Sequence, residues 1–164
     1  MNIRISITIL VIAALAGCRS LNPDGPKSGS SLPSLTMRLI DSTTEFNTEQ
    51  IKEGKPFVII YFSPDCQHCR KETRDLVANI GLVRNIQFIL LTPMSYDDLR
   101  YFYKEFNLAM YSNLTVGQDD RMTFYHYFNP KAIPYTAIYN RNKQLNKVII
   151  GEASIQKIIE FINS

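Results

Sequence analysis

The residues best suited to chemistry are two cysteines separated by two positions, in the sequence Cys66-Gln67-His68-Cys69. Two thiols three residues apart on one helical turn can form a disulfide with little backbone movement. The apolar run at residues 56–62 predicts a buried strand that leads into a helix beginning at Cys66. The N–H groups of a helix N-terminus stabilise a thiolate, whereas Cys69, one turn further on, is expected to be more buried. An exposed attacking thiol and a protected resolving thiol suit thiol–disulfide exchange.

The third cysteine, Cys18, follows an N-terminal segment of a different kind. Residues 1–17 carry one charge, Arg4, and then an apolar run shorter than the roughly 20 residues of a membrane span. This layout predicts a secretory signal peptide. Residues 15–18, with the sequence LAGC, resemble the lipobox of bacterial lipoproteins. That resemblance implies cleavage before Cys18 and lipidation of its sulfur. The alternative is an ordinary cleaved signal with an incidental cysteine.

Composition and length indicate a single folded domain behind this segment. The chain has 164 residues, of which 45% are hydrophobic and 20% charged. Its 18 basic and 15 acidic residues are near balance, which excludes an obvious nucleic-acid surface and argues against wholesale disorder. Residues 18–33 are rich in Pro, Gly and Ser and predict a flexible tether, which leaves residues 34–164 as the domain.

The elements that must position the cysteine pair alternate between strands and helices. Apolar periodicity predicts strands over residues 35–40 (at a sheet edge), 56–62, 86–91, 111–116, 135–139 and 147–150. It predicts helices over residues 66–80, 95–106 and 121–128, and a last one behind Ser154. A βαβα order closed by a hairpin and a helix indicates an α/β layer sandwich with a mixed sheet.

The order of three features resembles that in thioredoxin-fold proteins. They are a strand, a helix that begins at a Cys-x-x-Cys sequence and, much later, Ile133-Pro134-Tyr135-Thr136. The resemblance implies a three-layer α/β/α sandwich and a cis peptide bond before Pro134, against the cysteine pair. It also implies that Ile133 and Pro134 hold the substrate chain. The 68 positions from Cys66 to Pro134 leave room for an extra strand and helix before the cis-proline. That length is similar to the TlpA/ResA-like branch of the thioredoxin/AhpC-TSA superfamily.

Two side chains near the cysteines have roles that the sequence leaves open. Members of this branch often carry a glutamate three residues after the second cysteine, and Glu72 matches it. On a helix, Glu72 would lie on the same side as Cys69 and could exchange a proton with it. The alternative is a solvated carboxylate beside the basic residues Arg70, Lys71 and Arg74. We predict that these three basic residues form a solvated face of the helix. His68 resembles the DsbA-type site, where a protonated imidazole stabilises the reduced form; otherwise it is a surface imidazole without influence.

Three features depart from the family pattern. Asp65 stands where a tryptophan is usual, and its negative charge opposes formation of the neighbouring Cys66 thiolate. Ile60 occupies the place of the buried acid of thioredoxin, and Gln67-His68 replaces the commoner Gly-Pro or Glu-Pro. The tether and fold favour a reductase, whereas the histidine favours a more oxidising pair.

We therefore predict a thiol-disulfide oxidoreductase of the bacterial cell envelope, anchored by lipid on Cys18 with its domain facing the periplasm. Cys66 and Cys69 would reduce protein disulfides, and a membrane thiol donor would reduce the resulting disulfide. This chemistry requires no metal or organic cofactor.

Two other classes of function remain as alternatives. A peroxiredoxin-like thiol peroxidase would carry Pro seven residues and Thr or Ser three residues before its cysteine; Ser63 fits and Ile59 does not. A non-catalytic module of the same fold could hold an extended peptide in the groove around Pro134, or it could deliver a metal through Cys66, Cys69 and His68 or His126. A single Cys-x-x-Cys is a weak signal for such a site.

Overall fold

The computed structural model describes residues 25–163, so the predicted signal peptide, Cys18 and the first part of the predicted tether lie outside the described residues. Within that range the strands are β1 (Thr36–Leu39), β2 (Glu45–Asn47), β3 (Phe57–Tyr61), β4 (Gln87–Thr92), β5 (Leu114–Gln118), β6 (Tyr135–Tyr139) and β7 (Leu145–Ile150). The α-helices there are α1 (Gln67–Ala78), α2 (Tyr96–Glu105), α3 (Thr123–Phe128) and α4 (Ile155–Asn163). Over these same residues, no helix has the length and apolar character that a membrane crossing requires.

The strands form one mixed sheet in the order β2-β1-β5-β4-β3-β6-β7. The central strands β3, β4 and β5 are parallel, and β6 runs antiparallel to β3. Side chains alternate between the two faces of a strand. Along β3, Val58 and Ile60 belong to an apolar cluster with α1, α2 and α4. Phe57, Ile59 and Tyr61 belong to a second cluster with α3. Helices on both faces of the sheet confirm the predicted three-layer sandwich.

Two strands differ from the sequence-based prediction. β1, predicted at a sheet edge, lies second in the sheet because the three residues of β2 pair with its outer side. A three-residue strand is too short to show an alternating pattern. The predicted strand over residues 111–116 begins only at Leu114, because a 3-10 turn over Leu108–Met110 precedes it. β5 and α3 are the strand and helix expected before Pro134.

The segment predicted as a tether up to residue 33 is in contact with the domain over its last residues. The Gly29 N–H donates to the Leu145 carbonyl at 2.7 Å, and the Leu145 N–H donates to the Ser30 carbonyl at 2.9 Å. The Leu32 N–H donates to the Lys143 carbonyl at 2.9 Å. These bonds cover the start of the edge strand β7. The folded domain therefore begins earlier than residue 34, because backbone pairing does not depend on the Ser- and Gly-rich composition of this segment.

Candidate active site

Cys66 is the N-cap of α1, directly after the turn that leaves β3. Its Sγ accepts the Cys69 N–H at 3.4 Å, and its own N–H donates to the Ser63 carbonyl at 3.1 Å. The sulfur thus takes the place of the Ser or Asp side-chain oxygen that accepts this hydrogen bond at many helix N-termini. The Cys66 side chain is half-buried, and the partial positive charge of the helix N-terminus acts on it.

Cys69 lies one turn further along α1 and is 1% exposed. Both cysteines are free thiols in the structure. Burial, and secondly a hydrogen bond with Cys66, hold the pKa of the Cys69 thiol far above its usual range. The two thiols therefore differ as the sequence predicts, with one accessible to a substrate and the other protected.

The Ile133–Pro134 peptide bond is cis, which confirms the predicted isomer. The Ile133 carbonyl oxygen lies 4.0 Å from Cys66 Sγ, so this loop lies against the accessible thiol. Pro134 directly precedes β6, and Tyr135 at the start of β6 pairs with Tyr61 at the end of β3. The sheet register therefore brings together two chain segments that are far apart in sequence.

Glu72 is 1% exposed, so its interpretation as a solvated carboxylate is wrong. Its Oε1 accepts a hydrogen bond from Thr136 Oγ1 at 2.9 Å, and its Oε2 accepts the Ala153 N–H at 3.1 Å. Burial raises the pKa of Glu72 to about 7, against the opposing effect of these two hydrogen bonds. Its negative charge is also one of the causes that raise the pKa of Cys69. Proton transfer between the two side chains stays a prediction.

Comparison with known proteins identifies the architecture. No protein-family model matches the chain, and no curated protein matches it. Among solved structures, a peroxiredoxin-like protein from Aquifex aeolicus superposes with a TM-score of 0.70 at 16% identity, covering 87% of this chain and 89% of that one. The fold is thioredoxin-like.

Two further solved structures have the same thioredoxin-like architecture. The MTB dsbF protein, in its mixed oxidised and reduced forms, gives a TM-score of 0.67 at 16% identity over 79% of this chain and 92% of that one. A secreted Mycobacterium tuberculosis disulfide oxidoreductase homologous to E. coli DsbE gives 0.62 at 18% identity over 79% and 92%. At these identities the likeness establishes the fold, and activity has to be argued from the site.

His68 lies on the first turn of α1 in this thioredoxin-like domain, and its contact is with a carboxylate. Its Nδ1 lies 3.3 Å from Glu152 Oε2, while Lys71 Nζ lies 2.6 Å from Glu152 Oε1. The His68 side chain is 73% exposed. Its influence on the Cys66 thiolate stays a prediction. Glu152 lies 84 positions further along the chain, so no local sequence pattern indicates this contact.

Arg70 is not part of a solvated face, although the basic composition of α1 predicted one. Its Nη1 donates to the Pro64 carbonyl at 3.1 Å, and its Nη2 pairs with the Glu105 carboxylate. The guanidinium also lies over the ring of Phe106, 5.4 Å from its centroid. Arg70 thus fixes the turn before Cys66 to the end of α2, a positioning role that depends on tertiary contacts.

The metal-ligating alternative depends on clusters of donor side chains. Throughout residues 25–163, no group of three or more His, Cys, Asp and Glu side chains is arranged to hold a metal ion. His126 lies near the end of α3, with its ring centroid 5.9 Å from that of Tyr125. The structure therefore does not bring His126 together with the cysteine pair as a ligand set.

Proposed function

We propose that this protein is a thiol-disulfide oxidoreductase that reduces disulfides of extracytoplasmic proteins, anchored by lipid on Cys18 with its domain facing the periplasm. One observation carries the redox part of the proposal. The half-buried Cys66 lies at a helix N-terminus beside the Ile133 carbonyl, and the buried Cys69 follows one turn later. A disulfide oxidoreductase among the solved structures of this fold supports the same chemistry.

In the first step the Cys66 thiolate attacks one sulfur of a substrate disulfide. A mixed disulfide forms between Cys66 and that sulfur, and the other substrate sulfur leaves and takes up a proton as a thiol. The carbonyl of Ile133 and the cis-Pro134 would hold the substrate chain beside the reacting sulfurs. Helix N–H groups, including that of Cys69, stabilise the attacking thiolate.

In the second step Cys69 attacks Cys66 Sγ and breaks the mixed disulfide. The buried Cys69 thiol must first lose its proton, and Glu72, on the same side of α1 and with a pKa of about 7, is the base we assign to it. The second substrate thiol leaves, and the Cys66–Cys69 disulfide remains. Two electrons and two protons have passed to the substrate, and a membrane dithiol donor would return them.

Insulin reduction by dithiothreitol tests this function in the full chain, purified in detergent. We expect catalysis by the wild type and loss to the uncatalysed background in Cys66→Ser, because the attacking sulfur is gone. Cys18→Ser is the matched control, since it makes the same replacement outside the site, and its rate should equal that of the wild type.

A second arm uses Cys69→Ser, which keeps the attacking sulfur and removes the resolving one. Mixed disulfides through Cys66 should accumulate in this variant and identify the substrates. Equal insulin-reduction rates for wild type and Cys66→Ser would contradict the proposal. Peroxide consumption that depends on Cys66, without insulin reduction, would replace it with the peroxidase alternative.

A further inference from the structure

The connection between β7 and α4 contacts the candidate site at several points. The Gly151 N–H donates to the Pro134 carbonyl at 2.8 Å, and the Ala153 N–H donates to Glu72 Oε2 at 3.1 Å. Glu152 stands between these two anchored residues. Its backbone is therefore fixed to the cis-proline on one side and to the buried carboxylate on the other, which holds its side chain beside α1.

The carboxylate of Glu152 contacts two basic side chains of α1 at once. Oε1 lies 2.6 Å from Lys71 Nζ, and Oε2 lies 3.3 Å from His68 Nδ1. The Glu152 side chain is 29% exposed, against 73% for His68 and 68% for Lys71. The more buried partner is thus the carboxylate on the anchored loop. Hydrogen bonds from Lys71 and then His68 lower the pKa of Glu152, so it is ionised at neutral pH.

These two basic residues flank Cys69 on the helix whose N-terminus carries the Cys66 sulfur. Positive charge at that end of α1 stabilises a thiolate and hence the reduced dithiol form. A pair whose reduced form is stabilised is a stronger oxidant. The negative charge of a carboxylate beside these residues has the opposite effect and makes the pair more reducing.

We propose that Glu152 is a positioning residue that keeps the Cys66–Cys69 pair reducing by holding His68 and Lys71 beside its own negative charge. This inference rests on the proposed redox function and names a residue that shifts the equilibrium between the dithiol and disulfide forms of that site. It also explains how a histidine before the second cysteine is compatible with a reductase, because the Glu152 carboxylate of the loop after β7 lies beside the imidazole.

Equilibration with glutathione tests the inference, using the full chain with Cys18→Ser so that only the redox pair titrates. Each reduction of the protein disulfide oxidises two glutathione thiols to one glutathione disulfide, and the dithiol fraction is read by alkylation and mass spectrometry. Glu152→Gln keeps the size of the side chain and one acceptor oxygen, and removes its charge. We expect its equilibrium constant to shift toward the dithiol by about twofold to fivefold.

The matched control is Glu45→Gln, which breaks the exposed ion pair with Arg121 elsewhere on the domain and should leave the constant unchanged. In a His68→Ala/Lys71→Ala background, Glu152→Gln should produce a smaller shift, because only the direct effect of the carboxylate charge on the thiolate remains. A full shift in that background would overturn the role assigned to the two basic residues. Exchange by the wild type with no shift in Glu152→Gln would refute the inference alone, whereas no glutathione exchange by the wild type would refute the redox function itself.

Discussion

At the scale of single residues, burial has the same effect on the side chains of Glu72 and Cys69. The pKa of each is raised chiefly because burial disfavours its charged form. They lie one helical turn apart, so the carboxylate with a pKa of about 7 is close to the thiol that most needs a base. Thr136 and Ala153 fix the orientation of that carboxylate from outside the helix. In the proposed second step of disulfide exchange, the position of this base would depend on contacts that α1 alone does not provide.

The same burial makes the stability of the domain depend on pH through Glu72. Its pKa is about 7 in the folded state against 4.5 for the free side chain, so the folded state binds more protons between these values. Stability contributed by protonated Glu72 is present below about pH 4.5 and is lost as the pH rises through 7. Relative to Glu72→Gln, the wild type should lose about 2–3 kcal/mol between pH 5 and pH 8.

Urea denaturation of both proteins at pH 5 and pH 8 measures this difference. Glu53→Gln replaces an exposed glutamate and serves as the matched control, whose pH dependence should follow that of the wild type. The Glu72→Gln variant is judged by its slope with pH, because the amide also changes the hydrogen bond from the Ala153 N–H. Parallel slopes for wild type and Glu72→Gln would show that Glu72 titrates as an ordinary carboxylate.

At the scale of elements, local patterns predicted the parts of the site that a single segment builds. The apolar run of β3 and the cap at Cys66 are both local, and α1 begins within one residue of its predicted start. The partners of Glu72 are not local, since Thr136 lies 64 positions away and Ala153 lies 81. Spacing within a helix shows which residues share its side, but not whether a second element covers that side. The sequence neighbours of Glu72 therefore do not show whether its carboxylate is buried or exposed to solvent.

Helix α3 depends on a cap that its own residues do not supply. Both carboxylate oxygens of the fully buried Asp119 accept hydrogen bonds, from the N–H groups of Thr123, Phe124 and Tyr125 at 2.7, 3.1 and 3.3 Å. The Thr123 hydroxyl donates to the same side chain at 2.9 Å. A helix of six residues is too short to be stable by itself. Asp119 therefore holds in place the aromatic side chains that α3 packs against the sheet.

We expect Asp119→Ala to lower the free energy of unfolding by about 2–4 kcal/mol, because three N–H groups in the first turn of α3 lose their acceptor. The neighbouring Asp120 offers a matched control, since its carboxylate makes an exposed ion pair with Arg38 at 2.7 Å. Asp120→Ala should cost less than about 1 kcal/mol. Urea denaturation of the two variants tests the cap, and similar losses in both would argue against it.

At the scale of the whole molecule, the described chain enters the domain beside one end of the sheet. At this end, called the redox end below, β3 leads to Cys66 and Pro134 leads into β6. Gly25 is buried with φ +73°, and a Cβ there would lie 2.8 Å from the Phe128 carbonyl oxygen and 3.7 Å from the Tyr135 hydroxyl. Only glycine fits this position without strain. Tyr135 directly follows Pro134, so the entry point lies near the cis-proline loop. The turn containing Asn142 follows the other end of β6.

This entry point gives the proposed lipid anchor a geometric consequence. Gly25 lies seven positions after Cys18, and even a fully extended chain over seven positions spans no more than about 25 Å. The membrane surface would thus be held near the redox end of the domain. Asn142 follows the opposite end of β6, a five-residue strand about 17 Å long. A membrane-bound thiol donor would meet the cysteine pair at the redox end.

Energy transfer to acceptor-labelled lipids in vesicles can measure this orientation in the lipidated chain. One donor dye is placed on Cys66 in Cys69→Ser, and another on residue 142 in Cys66→Ser/Cys69→Ser/Asn142→Cys. We expect stronger transfer from Cys66, because transfer falls steeply with distance. Inserting 20 Gly and Ser residues after Cys18 should reduce the difference, since a long flexible linker lets the domain turn freely. Equal or stronger transfer from residue 142 with the native tether would mean that the redox end does not face the membrane.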